Sequence, residues 1–403
     1  MLDAVSWRTL YAIILAVAAL AGSPTTTKAQ TANAPAVNAP ADFYAFGPGD
    51  LAGRPGTLIR SEIVERGPIS ARAYRVLYRS VGLDGRMTAV SGMVMIPVAP
   101  PPPGGRPIVA WAHPTTGVQP QCGPSMARLF FPSVQGLRNM LRRGYIVTAT
   151  DYPGLGTAGP HPYLVGVSEG RAVLDSVRAA AALPGASAGH SFAVWGHSQG
   201  GQAALFTGLL AQGYAPEWRL AGVAAAAPAT DLSLLMKDDI DTNGGRNLTA
   251  MTVWSWSRVY GAPLSNVVLP KAMPVVDHLA SLCIERWFDM FSRRGPTRKL
   301  RRRFLSGSDF ADTQPWRMLL AQNTPGALPK QVPVFLAQGS ADRLVRPEVT
   351  AAYAEALCRN GGAVQYDLVP GVGHAFIARD AAPAAIAWIA ARFAGARPAS
   401  TCR

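Results

Sequence analysis

One stretch of the chain decides the fold: FAVWGHSQG, residues 192–200. Its first four residues are apolar, which is typical of a short buried strand, and a helix is predicted over residues 200–212. The G-x-S-x-G spacing between them predicts a sharp turn in which Ser198 takes strained backbone angles. The turn lifts the Ser198 hydroxyl above a sheet and aims the positive end of the helix dipole at it.

Strands and helices alternate on both sides of this turn. A hairpin is predicted between Arg72 and Pro97, with its turn at Leu83-Asp84-Gly85. Further strands are predicted at residues 108–112, 145–150, 334–337 and 364–368, and helices at residues 168–183, 347–359 and 380–394. Strands separated by helices predict the α/β class, with a mostly parallel sheet flanked by helices on both faces.

The segment 232–327 has a different character. It contains no short β-branched runs, and its large apolar residues stand in helix-like surroundings: Trp254, Trp256, Trp287, Phe288, Met290 and Phe291. We therefore expect a helical cap inserted between two parts of the core, residues 46–231 and 328–403. Two roles are open for the aromatic rings, which either bury one another or line a channel for an apolar substrate.

Composition and charge exclude several classes of protein. The apolar fraction is 49% and the charged fraction is 15%, so the chain is not intrinsically disordered. The net charge is +14, with a dense basic run in Arg293, Arg294, Arg298, Lys299, Arg301, Arg302 and Arg303. A solvated face and contact with an anionic surface or lipid–water interface are both open for this run. No nucleic-acid-binding motif accompanies it, so we expect no nucleic-acid partner.

The N-terminus predicts export. Arg8 precedes an apolar stretch from Leu10 to Ala21, and small and polar residues follow to Ala29. This is the pattern of a signal peptide over residues 1–29, cleaved between Ala21 and Ala29; an uncleaved anchor is the alternative. A flexible lead-in is expected over residues 30–45. No other segment is long enough to span a membrane, so we expect no integral span in the mature chain.

The even number of cysteines fits an exported protein. Cys122, Cys283, Cys358 and Cys402 predict two disulfides, and counting alone leaves three pairings open. The cysteines lack the close paired spacing of a zinc site, and we expect no metal or other cofactor.

To act as a nucleophile, Ser198 needs a base that accepts its proton and an acid that orients this base. In the α/β-hydrolase fold the order along the chain is Ser, acid, His, each after a strand. Asp342 follows the strand at 334–337 and His374 follows the strand at 364–368. The other histidines lie upstream of this acid or away from strand ends, so Ser198, Asp342 and His374 are the predicted triad.

Two further pairs of residues are candidates for the site. The amides of Gln199 and Thr115 are predicted to form the oxyanion hole, because Pro114 has no N–H to offer. Asp151 and Tyr152 also follow a strand, and they either bind substrate or cap and pack the rim of the core.

Several stretches resemble the secretory lipases, the lipase-A type of α/β-hydrolase found in yeasts and bacteria. They are His113-Pro114-Thr115-Thr116-Gly117, Cys122-Gly123-Pro124-Ser125, Asp151-Tyr152-Pro153-Gly154-Leu155-Gly156, His161-Pro162-Tyr163-Leu164 and Ser168-Glu169-Gly170-Arg171-Ala172. This resemblance implies a secreted esterase or lipase with a helical cap and without a cofactor. It also implies the disulfides Cys122–Cys283 and Cys358–Cys402.

The sequence therefore predicts a secreted serine hydrolase that cleaves small-molecule or lipid acyl esters through an acyl-enzyme. Two alternatives stay open: a peptidase or amidase that uses the same triad, and a secreted binding protein with a vestigial site.

Overall fold

The computed structural model describes residues 41–239, 242–285, 289, 293–300, 305 and 310–402. The expected signal peptide and most of the expected lead-in lie outside the described residues. So do Trp287, Phe288, Met290 and Phe291 of the expected cap, and Arg301, Arg302 and Arg303 of the basic run.

The described residues form a nine-stranded sheet with the order β1-β2-β3-β5-β4-β6-β7-β8-β9. The strands are β1 (Leu58–Ile63), β2 (Ala71–Val81), β3 (Met87–Pro97), β4 (Arg106–Ala112), β5 (Ile146–Thr150), β6 (Ala188–His197), β7 (Arg219–Ala226), β8 (Val334–Gly339) and β9 (Val364–Val369). The pairs β1–β2, β2–β3 and β3–β5 are antiparallel. From β5 to the other edge of the sheet at β9, every pair of neighbouring strands is parallel. The expected α/β class is confirmed.

Helices cover both faces of the sheet. In chain order they are α1 (Ala41–Tyr44), α2 (Phe130–Ser133), α3 (Leu137–Arg142), α4 (Gly166–Ala181), α5 (Gln199–Tyr214), α6 (Leu232–Asp239), α7 (Asn243–Val259), α8 (Met273–Ser281), α9 (Arg294–Lys299), α10 (Trp316–Gln322), α11 (Pro347–Arg359) and α12 (Ile377–Phe393). Two successive residues of β6 show that each face of the sheet has its own core. Val194 packs with the core under α4 and α5, and Trp195 packs with the opposite core under α3 and α12. Such strands are apolar throughout because neither face meets water.

Between β7 and β8, the described part of the chain contains helices joined by loops, and its β structure is limited to an isolated bridge of Val268 with Leu305. Trp256 is fully buried here and stacks on Trp316 with ring centroids 6.4 Å apart. These described rings therefore bury one another.

Two segments differ from the sequence expectations. Residues 41–44 of the expected lead-in form α1. Phe43 and Tyr44 of this helix are buried against Leu77 and Ala89, so their two aromatic rings cover this end of the sheet. Arg293 of the basic run is 1% exposed, and its guanidinium donates to Asn247 Oδ1 and to the carbonyls of Leu279 and Leu282. At this residue the run is not a solvated face, because helix-end carbonyls replace water around the cation.

Two disulfides are present, and they are the pairs that the family resemblance implied. Cys122–Cys283 joins the loop after β4 to the end of α8, and Cys358–Cys402 joins α11 to the C-terminal segment. The first bond is reinforced by the Ile284 N–H, which donates to the Thr116 carbonyl at 2.7 Å. The loop that carries Thr115 is thus fastened to the helical segment.

Among the described residues, no helix combines the length and the apolarity needed to cross a bilayer. The same residues contain no group of three or more His, Cys, Asp or Glu side chains placed to hold a metal ion.

Candidate active site

Ser198 lies in the sharp turn between β6 and α5. Its backbone angles, φ 57° and ψ −119°, are strained for a residue with a side chain. A Cβ atom on Gly196 would lie 2.0 Å from the Gly200 carbonyl oxygen, and one on Gly200 would lie 2.0 Å from the Ala112 carbonyl oxygen. The turn therefore requires glycine on both sides, as the spacing predicts. The Ser198 N–H donates to the Ala226 carbonyl at 2.9 Å and fixes the turn to β7.

The structure brings Ser198, His374 and Asp342 together in one hydrogen-bonded row. The Ser198 Oγ lies 2.8 Å from His374 Nε2, and His374 Nδ1 lies 2.7 Å from Asp342 Oδ2. Each residue follows a strand (β6, β8 or β9), and these strands are parallel members of one run in the sheet, with β7 between β6 and β8. Their carboxyl ends meet at one edge of the sheet, which explains how residues so distant in sequence converge.

Asp342 is held in its charged form by several donors. Its Oδ1 accepts the N–H groups of Leu344 and Val345, both at 2.9 Å, and Gln338 Nε2 lies 3.2 Å from its Oδ2. Burial alone would raise the pKa of this carboxyl. The interaction with His374 and the two N–H donors outweigh burial and lower the pKa below its ordinary value.

His197, the residue before the candidate nucleophile, faces the loop of His374. Its Nε2 donates to the His374 carbonyl at 3.0 Å, and the two rings lie 5.0 Å apart. Burial, with a smaller contribution from His374, lowers the pKa of His197 to about 3, so this ring is neutral. His197 therefore braces the loop of the candidate base.

The two predicted oxyanion residues lie on different elements. Gln199 is the first residue of α5, where a backbone N–H has no partner within the helix. Thr115 lies in the loop after β4, and its hydroxyl is 2.9 Å from the hydroxyl of Tyr163. Gln199 also lines the cavity beside Ser198.

Asp151 and Tyr152 hold loops together. Asp151 is fully buried, and its Oδ2 accepts from Ser91 Oγ at 2.6 Å while its Oδ1 accepts from the Ser125 N–H at 2.8 Å. Tyr152 is also fully buried, and its hydroxyl donates to the His113 carbonyl. These contacts favour packing at the rim of the core, the second of the two expected roles, and a role of either residue in substrate binding stays a prediction.

Two residues that the sequence analysis gave no chemical role meet the side chain of Gln199. Its Nε2 lies 2.8 Å from Glu169 Oε1 and 2.8 Å from His161 Nε2, and all three side chains are buried. A signal was present in the sequence: Glu169 lies four residues before Val173, on the apolar stripe of its helix, where a charged residue is unexpected.

A small apolar cavity of about 30 Å³ adjoins Ser198. Leu235 and Met236 of α6, Leu248 of α7 and Leu344 of the loop after β8 are among the side chains that line it. This volume holds about one water molecule, so the cavity beside the hydroxyl is narrow in this conformation.

The comparisons with known proteins agree with this geometry. The family model for the secretory lipases matches residues 134–401. A secreted triacylglycerol lipase of Malassezia globosa is 24% identical over 396 residues, covering 90% of this chain and 80% of the relative.

Solved structures give the same fold. Candida antarctica lipase A in its closed state superposes with a TM-score of 0.72 at 18% identity, over 89% of this chain and 87% of that one. The rice cell wall degrading esterase LipA of Xanthomonas oryzae superposes with a TM-score of 0.64 at 21% identity, over 85% of this chain and 98% of that one. The chain thus has the α/β-hydrolase fold that the order of its site residues predicts.

Proposed function

The chain belongs to the secretory lipase family and is a secreted carboxylic ester hydrolase, and we propose that it cleaves acyl esters through an acyl-enzyme on Ser198. The observation that carries this proposal is the hydrogen-bonded row of Ser198, His374 and Asp342 at the carboxyl edge of the sheet. A hydroxyl becomes an effective nucleophile when an oriented imidazole accepts its proton.

In the first half-reaction, Ser198 Oγ attacks the ester carbonyl carbon and its proton passes to His374 Nε2. Asp342 accepts a hydrogen bond from His374 Nδ1, keeps the ring in the required tautomer and stabilises the imidazolium. The low pKa of Asp342 supports this role, because the carboxyl stays charged at neutral pH. His374 then protonates the departing alcohol, which leaves the acyl group on Ser198.

In the second half-reaction, His374 takes a proton from water as the water oxygen attacks the acyl carbon. The bond to Ser198 Oγ then breaks, His374 returns the proton to this oxygen, and the carboxylic acid is released. We propose that the N–H groups of Gln199 and Thr115 stabilise the oxyanion in both steps. The position of Gln199 at the start of α5 supports this assignment, since its N–H and the positive end of the helix dipole both favour negative charge there.

The lining of the cavity supports an apolar acyl group as substrate. We propose that residues 232–327 form the cap, and that α6 must move for an acyl chain to enter, since the cavity beside Ser198 holds about one water molecule. Contact of the basic chain with a lipid–water interface or an anionic surface stays a prediction from its charge of +14.

Hydrolysis of p-nitrophenyl esters from acetate to palmitate, by the wild type and by Ser198→Ala, tests the proposal. We expect activity in the wild type and a loss of about 10⁶-fold in kcat in the variant. Matched aminoacyl amides separate an esterase from an amidase. An active Ser198→Ala variant, or a wild type that cleaves only the amides, would contradict the proposal.

A further inference from the structure

The side chain of Gln199 is held between two acceptors. Its Nε2 donates to Glu169 Oε1 and to His161 Nε2, both at 2.8 Å. Gln199 is 2% exposed, and Glu169 and His161 are fully buried. An amide nitrogen has two hydrogens, and here each one meets a separate acceptor.

The tautomer of His161 is set by its other nitrogen. His161 Nδ1 lies 2.9 Å from the Pro153 carbonyl oxygen, which only accepts, so Nδ1 carries the hydrogen and Nε2 is free to accept from Gln199. Burial lowers the pKa of His161 to about 3, so the ring is neutral. The neutral ring is the form that can hold Gln199.

Glu169 occupies the first turn of α4 with few donors around it. Its Oε1 also accepts from the Leu164 N–H at 2.9 Å, whereas its buried Oε2 contacts no hydrogen-bond partner among the described residues. Burial raises the pKa of Glu169 to about 8, against smaller lowering effects of Gln199 and Leu164. The titratable groups facing it from the described loop 151–165 are Tyr152, His161 and Tyr163, and α5 presents the neutral Gln199. The acid is therefore neutral at pH 7.

Glu169 and His161, here called the clamp, hold Gln199 directly after the strained residue Ser198. Ser198 has φ 57° and ψ −119°, and the peptide that follows it carries the N–H of Gln199. Such a conformation persists only where the surroundings hold it. Resting on the proposed function, we propose that Glu169 is a positioning residue that, with His161, fixes Gln199 so that its N–H points at the oxyanion beside Ser198.

The charge of Glu169 follows from the same geometry. An ionised carboxylate one side chain away from the oxyanion would oppose the negative charge that develops in the transition state, in surroundings that screen it weakly. Glu169 thus holds Gln199 in its neutral form, because its Oε1 still accepts the hydrogen bond from Gln199 Nε2. Ionisation at alkaline pH lowers the rate.

An alkyl fluorophosphonate tests the clamp without knowledge of the natural ester. Ser198 Oγ attacks phosphorus, fluoride leaves, and the phosphoryl oxygen occupies the position of the oxyanion. Glu169→Leu removes the acceptor at similar volume, and we expect its labelling rate at pH 7 to fall about ten- to a hundredfold, below the full loss of an oxyanion donor. Glu169→Gln keeps the acceptor, and we expect a rate within about threefold of the wild type.

The pH profile separates positioning from a purely structural role. We expect the wild-type labelling rate to decline above about pH 8 and the rate of Glu169→Gln not to decline there. Asp175→Asn is the matched control, because Asp175 is a buried carboxyl of the same helix that bonds Ser80 and Tyr214 away from the turn. Its labelling rate and alkaline decline should equal those of the wild type, whatever its thermal stability.

Two results would overturn the inference: a folded Glu169→Leu variant that labels at the wild-type rate, or an unchanged alkaline decline in Glu169→Gln. The unchanged decline in Glu169→Gln would overturn the inference even if Glu169→Leu does not fold. A wild type that takes no label would overturn the proposed function together with this inference, whereas a labelled wild type with unaffected Glu169 variants overturns the inference alone.

Discussion

Two pairs of a carboxyl group and an imidazole flank the turn at Ser198, and they have opposite properties. Asp342 and His374 form the open pair, in which the His374 side chain is 17% exposed. Glu169 and His161 form the closed pair, in which both side chains are fully buried. The open pair contacts the hydroxyl of Ser198, and the closed pair contacts the side chain of Gln199.

The two acids differ in how far their neighbours offset burial. Burial would raise the pKa of Asp342, but the interaction with His374, together with the N–H donors on its other oxygen, outweighs burial and lowers the pKa. Glu169 accepts hydrogen bonds on one oxygen only, and burial raises its pKa to about 8. Burial alone therefore does not decide the charge of a carboxyl group, because the charges and donors that face its oxygens also contribute.

The sharpest contrast is expected between the two histidines. His374→Ala should lower kcat by about 10⁶-fold without loss of fold, because the base and the nucleophile act as a unit. His161→Ala should lower kcat by less than about a hundredfold and destabilise the protein by about 2–4 kcal/mol, because it empties a buried site and leaves polar groups unpaired. Ester hydrolysis and urea unfolding measure both effects. Equal losses of kcat in two folded variants would break the distinction between the pairs.

The closed pair should give the protein a pH-dependent stability. Between pH 4.5 and about 8, Glu169 is protonated in the folded state and ionised in the unfolded chain, so its contribution is present at low pH and lost as pH rises. Relative to Glu169→Gln, the wild type should lose up to about 1.4 kcal/mol of unfolding free energy per pH unit in this range.

Urea unfolding of both proteins at pH 5, 6.5 and 8 measures this difference. Asp342→Asn is the control for the open pair, because the lowered pKa of Asp342 confines its contribution to changes below about pH 4. If the difference in unfolding free energy between the wild type and Glu169→Gln stays constant with pH, then Glu169 is charged in the folded protein.

The smallest effect is expected at the contact of the closed pair with α7. Ser255 Oγ donates to the His161 carbonyl at 2.6 Å and accepts from the Tyr163 N–H at 3.1 Å. Ser255→Ala should cost about 1–3 kcal/mol of stability, because it leaves buried backbone groups unpaired. We expect kcat to fall only severalfold, with KM nearly unchanged. A thermal shift and steady-state kinetics measure both; an unaltered melting temperature would show that α7 does not brace the pair.

The sequence was most informative where structure is local. The strand–turn–helix around Ser198, the β2–β3 hairpin and the alternation of strands and helices were all predicted, because spacing and hydrophobic periodicity report the backbone over a few residues. The order of Ser198, Asp342 and His374 was also readable, since each follows its own strand. The sequence does not predict β1, and it predicts a flexible lead-in where α1 forms, because neither segment has a regular apolar pattern.

Tertiary packing decides which polar groups are buried and what they contact. Asp151, Glu169 and Arg293 are charged residue types that a sequence places in water by default, yet each is buried among partners far along the chain. Such burial depends on the order of the strands and on how closely the loops approach, and local spacing carries no record of either. Residue spacing along the chain was enough to predict the turn at Ser198 and the order of Ser198, Asp342 and His374. Packing, in contrast, places Glu169 in contact with Gln199 and leaves a narrow cavity beside Ser198.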